Sequence, residues 1–436
     1  MALEIIPLGG YSEIGRNSVA VRVDDEVVIL DLGLKMDTYV EYTETNEIIS
    51  EKDLVTIGAI PDIKQLGHLK KNVKAILLTH AHLDHVGAVP FIANKLGCDI
   101  HGTAFTIEVV RELFKSVKKS SKGKLRIHKT NDTFRVSKKI EVEFISITHS
   151  APQTVMILIK TPYGNVLYAN DFKFDNNPTL GDKPNYKRLR ELKGKIDCLI
   201  LDALYAPKAI KMPSEKIAEE MLKDVLLGTQ SKNSIIIVST FSSHIARLRS
   251  IVKVAKLMNR KVVFVGRSLS RYANAAEKTG ITKFDDVEMV GGGKRAANYL
   301  KRVRDVEKKI FVTTGHQGEP KAVLARIVNE DLLPLSNDDQ VIFSCKVIPT
   351  NSNIQNRQLL DDELRSKGVR LFNDIHVSGH GGKEDHRDFL NMIDPKIIVP
   401  THGNLEMLGA FKELAKEMGI EHRVTILKNG KNLRIA

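Results

Sequence analysis

Roughly the first two hundred residues contain short runs in which apolar residues alternate with polar ones or follow each other without a break. Such runs are typical of β-strands when Gly, Pro or Asn bound them. Strands are predicted at 18–23, 26–33, 140–149, 154–160 and 165–172. The apolar spacing of 89–97 and 106–117 instead predicts amphipathic helices. This part of the chain therefore predicts a β-rich layered domain with helices over some of the sheet surface.

From about Pro207 the pattern changes, and strand-like runs begin to alternate with helix-like ones. Helices are predicted at 214–227, 244–259 and 321–330, and strands at 233–240, 261–266, 308–315 and 339–344. Alternation of this kind indicates parallel βαβ units, so a second α/β domain is expected. Near Gly368 the alternation stops, and histidines then directly follow strand-like runs, as they do in the first region. We expect the chain to return there to the first domain.

The chain has 436 residues, which exceeds the length of about 250–300 at which single hydrophobic cores stop growing. Two domains are expected, with the second inserted into the first. The predicted limits are 1–205 for the first part of the first domain, 206–360 for the inserted domain and 361–436 for the returning part.

Apolar residues make up 42% of the chain and charged residues 27%, which is ordinary for a globular protein in water. No apolar run approaches the length of a membrane span. The beginning, MALEIIPLGGYSEIGRN, lacks a basic segment followed by an uninterrupted apolar one, which favours a first strand over a signal peptide. Cys98, Cys198 and Cys345 are scattered, which argues against disulfides and thiolate zinc sites. We expect a cytoplasmic protein without a membrane partner.

The chain is basic. Its 66 Lys and Arg residues outnumber its 53 Asp and Glu residues, which gives a net charge of +13. A polyanion such as a nucleic acid is a plausible partner for this charge. The alternative is that the lysines only solvate the surface, as a basic run such as 115–124 commonly does.

The densest chemistry lies in HAHLDH at 80–85, directly after a predicted strand that ends at Thr79. Imidazole nitrogen and carboxylate oxygen are the ligands that Zn²⁺ takes in catalytic sites, where one coordination position stays open for water. Four such groups in six positions are too many for one tetrahedral ion that also accepts remote ligands. The segment therefore predicts two ions.

Further ligand-type residues follow predicted strands elsewhere in the chain. An isolated His149 would be interpreted as a core histidine, but crowding the 80–85 groups together without a cation would be costly. The predicted sets are His80, His82 and His149 for one ion, Asp84, His85 and His402 for the other, and Asp171 between them.

The segment THAHLDHVGA at 79–88 resembles the signature of the metallo-β-lactamase superfamily, and Asp31, His149 and Asp171 match its other motifs. The resemblance implies an α/β fold, the αββα sandwich, with the metals at one edge of the sheets. Asp31 would steady a metal ligand, or it is a simple turn aspartate. This fold hosts thioester, lactam, phosphoester and redox chemistry, so membership does not fix a substrate.

HVSGHGG at 376–382 and PTHGN at 400–404, with an α/β insertion after Asp202, resemble the β-CASP branch, whose members cut nucleic acids. Nearly the whole chain resembles the ribonuclease J family, in its short archaeal form without a long C-terminal extension. The resemblance makes Asp202 the acidic residue of motif A, His380 the histidine of motif B and His402 that of motif C. The surrounding LDALYAP departs from the Ser/Thr-rich sequence of bacterial relatives, and the alternative for Asp202 is a strand-end residue that caps a turn.

A phosphate substrate is also indicated by three turns of the predicted α/β domain, which place Ser, Thr, Gly or Arg between a strand and the next helix. Free backbone N–H groups favour anions at such turns. The candidate contacts are Ser242, Ser243 and His244, with His376, Val377, Ser378, Gly379 and His380 from the returning loop. The alternative for the two serines of the first turn is an N-cap. The family resemblance adds that this pocket holds an RNA 5′ end with a monophosphate.

Three other features receive no functional role. The glycine run at 291–293 matches neither a GxGxxG fingerprint nor a P-loop, and it predicts a flexible turn. His316 and His386 lack companion ligands at metal spacing and are interpreted as structural.

The leading hypothesis is a zinc-dependent ribonuclease of RNA processing and decay, with Mn²⁺ able to replace Zn²⁺. Two cations about 3.5–4 Å apart would activate a bridging water. Asp84 would orient that water and accept its proton, while His380 would face the scissile phosphate. By resemblance the enzyme acts 5′ to 3′ as an exonuclease, with endonuclease action also open, and leaves a 5′-phosphate and a 3′-hydroxyl.

Single-stranded RNA is the expected partner, entering between the two domains. Because the chain has no Trp and only 6% aromatic residues, backbone contacts are favoured over base stacking. A homodimer is left open, and no feature identifies a protein partner. The alternatives are a small-molecule thioester or lactam hydrolase, which the inserted domain disfavours, and a catalytically silent RNA-binding subunit.

Overall fold

The computed structural model describes residues 2–45, 50–229, 233–348 and 350–436. The chain forms two compact units. The first unit comprises Met1–Asn176, Asp182–Met212 and Gly379–Ala436, and the second, inserted unit comprises Asn177–Gly181 and Pro213–Ser378. The domain limits at 205/206 and 360/361 stay a sequence-based prediction.

The first unit contains two sheets. The seven-stranded sheet has the order β19-β1-β2-β3-β4-β5-β6. Its strands are β1 (Leu3–Gly9), β2 (Ser18–Val23), β3 (Glu26–Leu30), β4 (Val73–Leu77), β5 (Asp99–Thr103), β6 (Leu125–His128) and β19 (Leu433–Arg434). The pairs from β19 to β3 are antiparallel, and those from β3 to β6 are parallel.

The second sheet has six strands in the order β18-β11-β10-β9-β8-β7. They are β7 (Thr133–Arg135), β8 (Glu141–Ser146), β9 (Val155–Thr161), β10 (Gly164–Ala169), β11 (Cys198–Asp202) and β18 (Ile397–Thr401). The returning segment of the chain thus supplies an edge strand, because β18 pairs in parallel with β11. This pairing brings residues on both sides of the insertion to one sheet edge.

The two sheets pack on each other through alternating apolar side chains. Val21 and Leu77 of the first sheet share a buried cluster with Phe144, Ile157 and Val399 of the second. Burying each such side chain contributes about 1.5–3 kcal/mol relative to exposing it. Alternate side chains of each strand thus face the opposite sheet, whereas the apolar side chains between them on the second sheet pack against the outer helices.

Helices cover the outer faces of the two sheets. The α-helices of the first unit are α1 (Met36–Thr45), α2 (Glu51–Thr56), α3 (Leu83–Val86), α4 (Val89–Ile92), α5 (Ala104–Ser116), α6 (Tyr186–Glu191), α13 (Lys383–Ile393) and α14 (Leu405–Glu417). On the second sheet, Leu158 and Leu199 pack with Phe389 of α13 and Phe411 of α14. On the first, α5 packs against β5 and β6. The resulting αββα sandwich confirms the predicted fold.

The inserted unit is a six-stranded, fully parallel sheet of order β14-β13-β15-β12-β16-β17. Its strands are β12 (Ile236–Ser239), β13 (Lys261–Val265), β14 (Val287–Val290), β15 (Lys309–Thr313), β16 (Gln340–Phe343) and β17 (Arg370–Phe372). Its helices are α7 (Glu215–Gly228), α8 (Ile245–Leu257), α9 (Arg267–Lys278), α10 (Lys294–Arg302), α11 (Val323–Asn329) and α12 (Asn351–Ser366). The parallel βαβ units predicted here are confirmed.

Several predicted elements are longer than the observed ones, including the strands predicted at 140–149 and 165–172, which end at Ser146 and Ala169. The strand predicted at 26–33 ends at Leu30, because Asp31 adopts a left-handed φ of 57° that interrupts the strand. The helix predicted at 89–97 is only the single turn α4 followed by the 3₁₀ turn Ala93–Lys95. Among the described residues, none of the helices has both the length and the apolar content that crossing a lipid bilayer requires.

Candidate metal centre

The histidine-rich segment lies in the loop from β4 into the one-turn helix α3. His82 is the N-cap of α3, but its side chain makes no capping hydrogen bond and stays available to the centre. His149, Asp171 and His402 follow β8, β10 and β18, so the remaining predicted ligands also lie at strand ends. Asp171 and His402 have left-handed φ angles of 56° and 52°. Such backbone strain costs about 1–3 kcal/mol per residue and is common at functional sites.

One group of ligand atoms surrounds the Oδ2 atom of Asp171. His80, His82, His149 and Asp171 place ligand atoms within 4.8 Å of one another. Oδ2 of Asp171 lies 3.5 Å from Nε2 of His80 and 3.6 Å from Nε2 of His149. Nδ1 of His82 lies 3.0 Å from Nε2 of His149. Three imidazoles and one carboxylate oxygen form a donor set that suits a tetrahedral divalent ion.

A second group surrounds the other oxygen of the same carboxylate. Oδ1 of Asp171 lies 3.3 Å from Nε2 of His85 and 3.9 Å from Nε2 of His402. Oδ2 of Asp84 lies 3.6 Å from Nε2 of His85 and 3.7 Å from Nε2 of His402. Asp171 therefore turns one oxygen towards each group, which is the geometry of a bridging ligand.

Two atoms of the centre lack hydrogen-bond partners within the described part of the chain. Nε2 of His80 and Oδ1 of Asp171 are buried and form no hydrogen bond there. Leaving a buried polar atom unsatisfied costs about 1–3 kcal/mol, and more for a charged group. Because bound cations would satisfy both atoms, these residues fit a divalent metal.

The protonation states of four ligand groups suit metal binding. His85 differs, because burial lowers its pKa but the carboxylates of Asp171, Asp84 and Asp31 together raise it well above the ordinary value. Burial lowers the pKa of His80, His82 and His149, to about 4 in His82. Burial opposes ionisation of Asp171, but the surrounding histidines, His85 foremost, hold its pKa well below the ordinary value. Near neutral pH the three imidazoles are therefore uncharged and the carboxyl group is ionised, which are the forms that bind metal.

Asp31 contacts the centre from behind His85. Its Oδ2 lies 2.7 Å from Nδ1 of His85 and accepts a hydrogen bond from the Thr79 hydroxyl at 2.8 Å. Its Oδ1 accepts the backbone N–H of Thr79 at 2.8 Å. Because Asp31 engages Nδ1, Nε2 of His85 is left to face Asp171. Asp31 thus occupies the place of a residue that orients a ligand.

His380 lies between two carboxylates. Its Nε2 is 3.8 Å from Oδ2 of Asp171, and its Nδ1 is 3.5 Å from Oδ2 of Asp202. Burial disfavours the charged imidazole, but Asp171 and Asp202 together raise the pKa of His380 to about 9. Asp202 also accepts the backbone N–H of Leu204 at 3.3 Å. Asp202 therefore both caps a turn, through the Leu204 N–H, and contacts His380.

Three residues next to the centre were not predicted from the sequence to belong to it. The Asn17 amide nitrogen lies 3.3 Å from Oδ2 of Asp84 and 3.0 Å from Nε2 of His85. Nε2 of His386 lies 2.8 Å from the carbonyl oxygen of Asp202. A Cβ atom at Gly33 would lie 1.7 Å from the carbonyl oxygen of Asp84, so only glycine fits there. Asn17 carries no motif signal, whereas His386 lies six residues after His380 on a helix that was not predicted.

The predicted substrate residues are divided between the units. Ser242, Ser243, His244, His376, Val377 and Ser378 belong to the inserted unit, and Gly379 and His380 to the first. His244 is the N-cap of α8, without a side-chain cap, so the N-cap alternative for the two serines is wrong. Within the first unit, the carbonyl oxygen of Gly379 lies 2.7 Å from Nδ1 of His149. Gly379 thereby orients a predicted metal ligand.

Within the inserted unit, Arg247 holds the backbone before His376. Its fully buried guanidinium donates to both carboxylate oxygens of Glu215, at 2.7 and 2.8 Å. It also donates to the carbonyl oxygens of Ser344 and Ile375, at 2.9 and 3.3 Å, and lies 3.4 Å from Nδ1 of His376. These bonds connect α7, α8, the end of β16 and the loop that carries the predicted substrate contacts.

Fold and site define a metallo-hydrolase, and three family models match the chain. The metallo-β-lactamase superfamily matches residues 12–227, the ribonuclease J β-CASP domain 233–361, and the zinc-dependent metallo-hydrolase RNA specificity domain 369–425. Two curated relatives, both called ribonuclease J, come from Methanocaldococcus jannaschii and Pyrococcus abyssi. Each relative is 39% identical to this chain. The alignment covers 99% of both chains for the Methanocaldococcus protein, and 98% of this chain and 96% of the relative for the Pyrococcus protein.

The chain belongs to the ribonuclease J family. Ribonuclease J2 of Bacillus subtilis is 30% identical over 96% of this chain and 72% of its own length. A crystal structure of a protein of unknown function from Enterococcus faecalis matches all of both chains, with a TM-score of 0.67 and 17% identity. That structure supports the fold alone.

Proposed function

We propose that the protein is a zinc-dependent ribonuclease of RNA processing and decay, which degrades single-stranded RNA from its 5′ end and also cleaves internally. Membership of the ribonuclease J family supports hydrolysis of RNA by a metal-dependent enzyme. The observation that carries the proposal is the position of Asp171, whose two oxygens face two separate ligand groups. A site for a pair of divalent ions suits an in-line displacement at phosphorus.

Six further residues complete the two proposed ligand groups. His80, His82 and His149 would hold one ion, Asp84, His85 and His402 would hold the other, and Asp171 would contact both. Ligand atoms of Asp84, His85 and Asp171 lie within 4.8 Å of one another, and those of His402 lie within that range of Asp171 and His380. When bound, the two ions supply Lewis acidity and a water activated near neutral pH. The imidazole-rich donor set supports Zn²⁺, and Mn²⁺ is proposed as a substitute.

Asp84 and His380 are proposed to handle the protons. The Asp84 side chain is 25% exposed and that of His380 is 16% exposed, whereas Asp171 is 1% exposed. These two groups therefore lie where solvent and substrate can reach the centre. Asp84 orients the attacking water and accepts its proton, while His380 donates to the scissile phosphate or its leaving oxygen. Asp202 holds the His380 ring through Nδ1.

The 5′ end of the RNA is proposed to lie on the two substrate segments, 242–244 and 376–380. Ser242 and Ser243 lie directly before α8, where free backbone N–H groups favour a phosphate. Ser378 and Gly379 lead directly into His380 along the chain. We also propose a cytoplasmic location and a homodimer.

The test uses purified protein and a single-stranded RNA with a 5′-monophosphate, together with its triphosphate counterpart. We expect mononucleotides with 5′-phosphates from the monophosphorylated RNA, slower decay of the triphosphate form, and two zinc ions per chain by elemental analysis. Products that start from the 3′ end, or two-metal protein that leaves RNA intact, would refute the proposal. A thioester and a β-lactam serve as control substrates and should not be hydrolysed.

The His82→Ala variant tests the metal assignment. It should lose zinc and cleavage, yet bind RNA in EDTA as tightly as the unaltered protein does in EDTA. His68→Ala is a matched control, because His68 is exposed and follows no strand of the centre. Cleavage at an unchanged rate in His82→Ala would exclude this residue as a ligand.

A further inference from the structure

The glycine run of the inserted unit packs against arginine side chains. Gly291, Gly292 and Gly293 connect β14 to α10, beside the point where β13 leads into α9 at Arg267. A Cβ atom at Gly292 would lie 2.9 Å from Cγ of Arg267, and one at Gly291 would lie 3.6 Å from Cδ of Arg295. The stems of both arginines therefore lie against bare backbone, at one corner of the sheet.

The same corner carries positive charge that no carboxylate neutralises. The sequence 266–276 contains Arg267 and Arg271 and no acidic residue, and 289–304 contains five basic residues and no acidic one. Arg267, Lys294 and Arg295 are exposed. Unlike Lys216 and Lys253, which share Glu219, these three form no ion pair with any residue in the described part of the chain.

Unpaired cations at this density cost repulsion, which an anionic ligand removes. Phosphate groups of a nucleic acid strand are suitable ligands for two guanidinium groups and an ammonium group, because each guanidinium can bind a phosphate through two parallel hydrogen bonds. Glycines between the cations leave no side chain to obstruct such a strand.

We propose that the basic corner, defined as Arg267, Lys294 and Arg295 around Gly291–Gly293, is a binding surface for the phosphodiester backbone of RNA. The inference rests on the proposed ribonuclease function for its ligand and adds a contact site outside the metal centre. The surface is independent of base sequence, because its groups can reach phosphate oxygens and offer no fixed pattern for base edges.

The double variant Arg267→Ala/Arg295→Ala tests the surface. Binding of a 20-nucleotide single-stranded RNA is measured in EDTA, so that no cleavage occurs, at several salt concentrations. Losing two phosphate contacts should weaken binding and reduce the slope of log K against log salt by about 1.4.

Lys301→Ala/Arg302→Ala is the matched control, because it removes the same charge from the other end of α10. It should leave the salt slope unchanged. If both double variants weaken RNA binding equally, the effect comes from the net charge of the protein and not from the basic corner. If neither weakens RNA binding, RNA does not bind at the basic corner. If the unaltered protein binds RNA in EDTA but cleaves none in zinc, the proposed function fails while this inference stands.

Gly292→Ala provides a test that preserves the charge. Its new methyl group would displace the Arg267 stem, so RNA binding in EDTA should weaken although the net charge remains +13. Thermal unfolding of each variant verifies the fold. Binding identical to that of the unaltered protein would show that the glycine run does not arrange this surface.

Discussion

Arg247 and Glu215 form a two-bond ion pair that is closed off from solvent in the interior of the inserted unit, with N–O distances of 2.7 and 2.8 Å. Breaking a buried pair by removing one partner costs about 3–5 kcal/mol. Arg247→Ala should therefore lower the free energy of unfolding by that amount in urea denaturation. Arg249→Ala, two residues away and exposed, should change it by less than about 0.5 kcal/mol.

The milder Arg247→Lys variant separates stability from function. Lysine keeps the charge but cannot reach Glu215 and the Ile375 carbonyl together. We expect a raised KM for 5′-monophosphorylated RNA with kcat nearly unchanged, because the loop before His376 loses its anchor. An equal fall in kcat with an unaltered KM would contradict a role in positioning the loop.

Asp31→Asn should weaken metal binding by about 10–100-fold, the usual effect of removing a carboxylate that orients a ligating histidine. The reason is the 2.7 Å contact with Nδ1 of His85. Zinc affinity is measured by competition with a chromogenic chelator. Asp25→Asn, on an exposed turn of the same sheet, is the control and should bind zinc normally.

Asn17→Ala should slow single-turnover RNA cleavage by about tenfold or more, as removal of a group that supports metal ligands does. Its amide contacts both Asp84 and His85, and the side chain is buried. RNA affinity in EDTA should not change. Asn432→Ala, at an exposed position, should cleave at the unaltered rate, and a similar rate in Asn17→Ala would remove Asn17 from the site.

Gly379→Ala should displace His149, since the added Cβ would lie 3.0 Å from Cε1 of that ring and 2.9 Å from the Ser150 backbone nitrogen. We expect loss of one of the two zinc ions, detected by elemental analysis. Gly409→Ala is the control, because its Cβ meets nothing within 4 Å inside α14. That substitution should stabilise the protein by about 0.5–1 kcal/mol.

Acid should destabilise the inserted unit through His316. Burial, with the nearby Arg357 charge, lowers the pKa of His316 from 6.5 to about 3. Below pH 6.5 the unfolded chain takes up a proton that the folded chain refuses. This histidine therefore reduces stability by up to about 1.4 kcal/mol per pH unit between pH 6.5 and 3. Urea unfolding at pH 7, 6 and 5 should show a shallower fall in His316→Gln.

The spacing of histidine and aspartate residues, and their positions directly after predicted strands, were enough to predict which residues the metal centre brings together. HAHLDH is dense in ligand types, and His149, Asp171 and His402 each follow an apolar strand, so their convergence at one sheet edge could be anticipated. The metal-binding roles themselves stay predictions. The β-rich layered domain and the inserted parallel sheet also followed from the periodicity, because period-two strands and alternating strand and helix patterns each permit few arrangements. The αββα sandwich itself was implied by the family resemblance.

Other contacts left no trace in the sequence. Asn17 lies in a loop whose path depends on the close approach of Gly33 to Asp84, which no local pattern encodes. Arg247 occupies a helix that was correctly predicted, yet its burial depends on Glu215, thirty-two residues earlier. His386 belongs to α13, where polar residues at many positions concealed the helical period. Such pairings are tertiary, so only the folded chain reveals them.

The order in which the residues of the centre occur along the chain has a consequence for biosynthesis. Asp171 precedes the inserted unit, whereas His380 and His402 follow it. A nascent polypeptide still on the ribosome holds the first ligand group long before it contains the second. Until translation passes His402, the nascent chain lacks one of the proposed ligands, so the proposed site for two ions cannot be completed before almost the whole chain has been made.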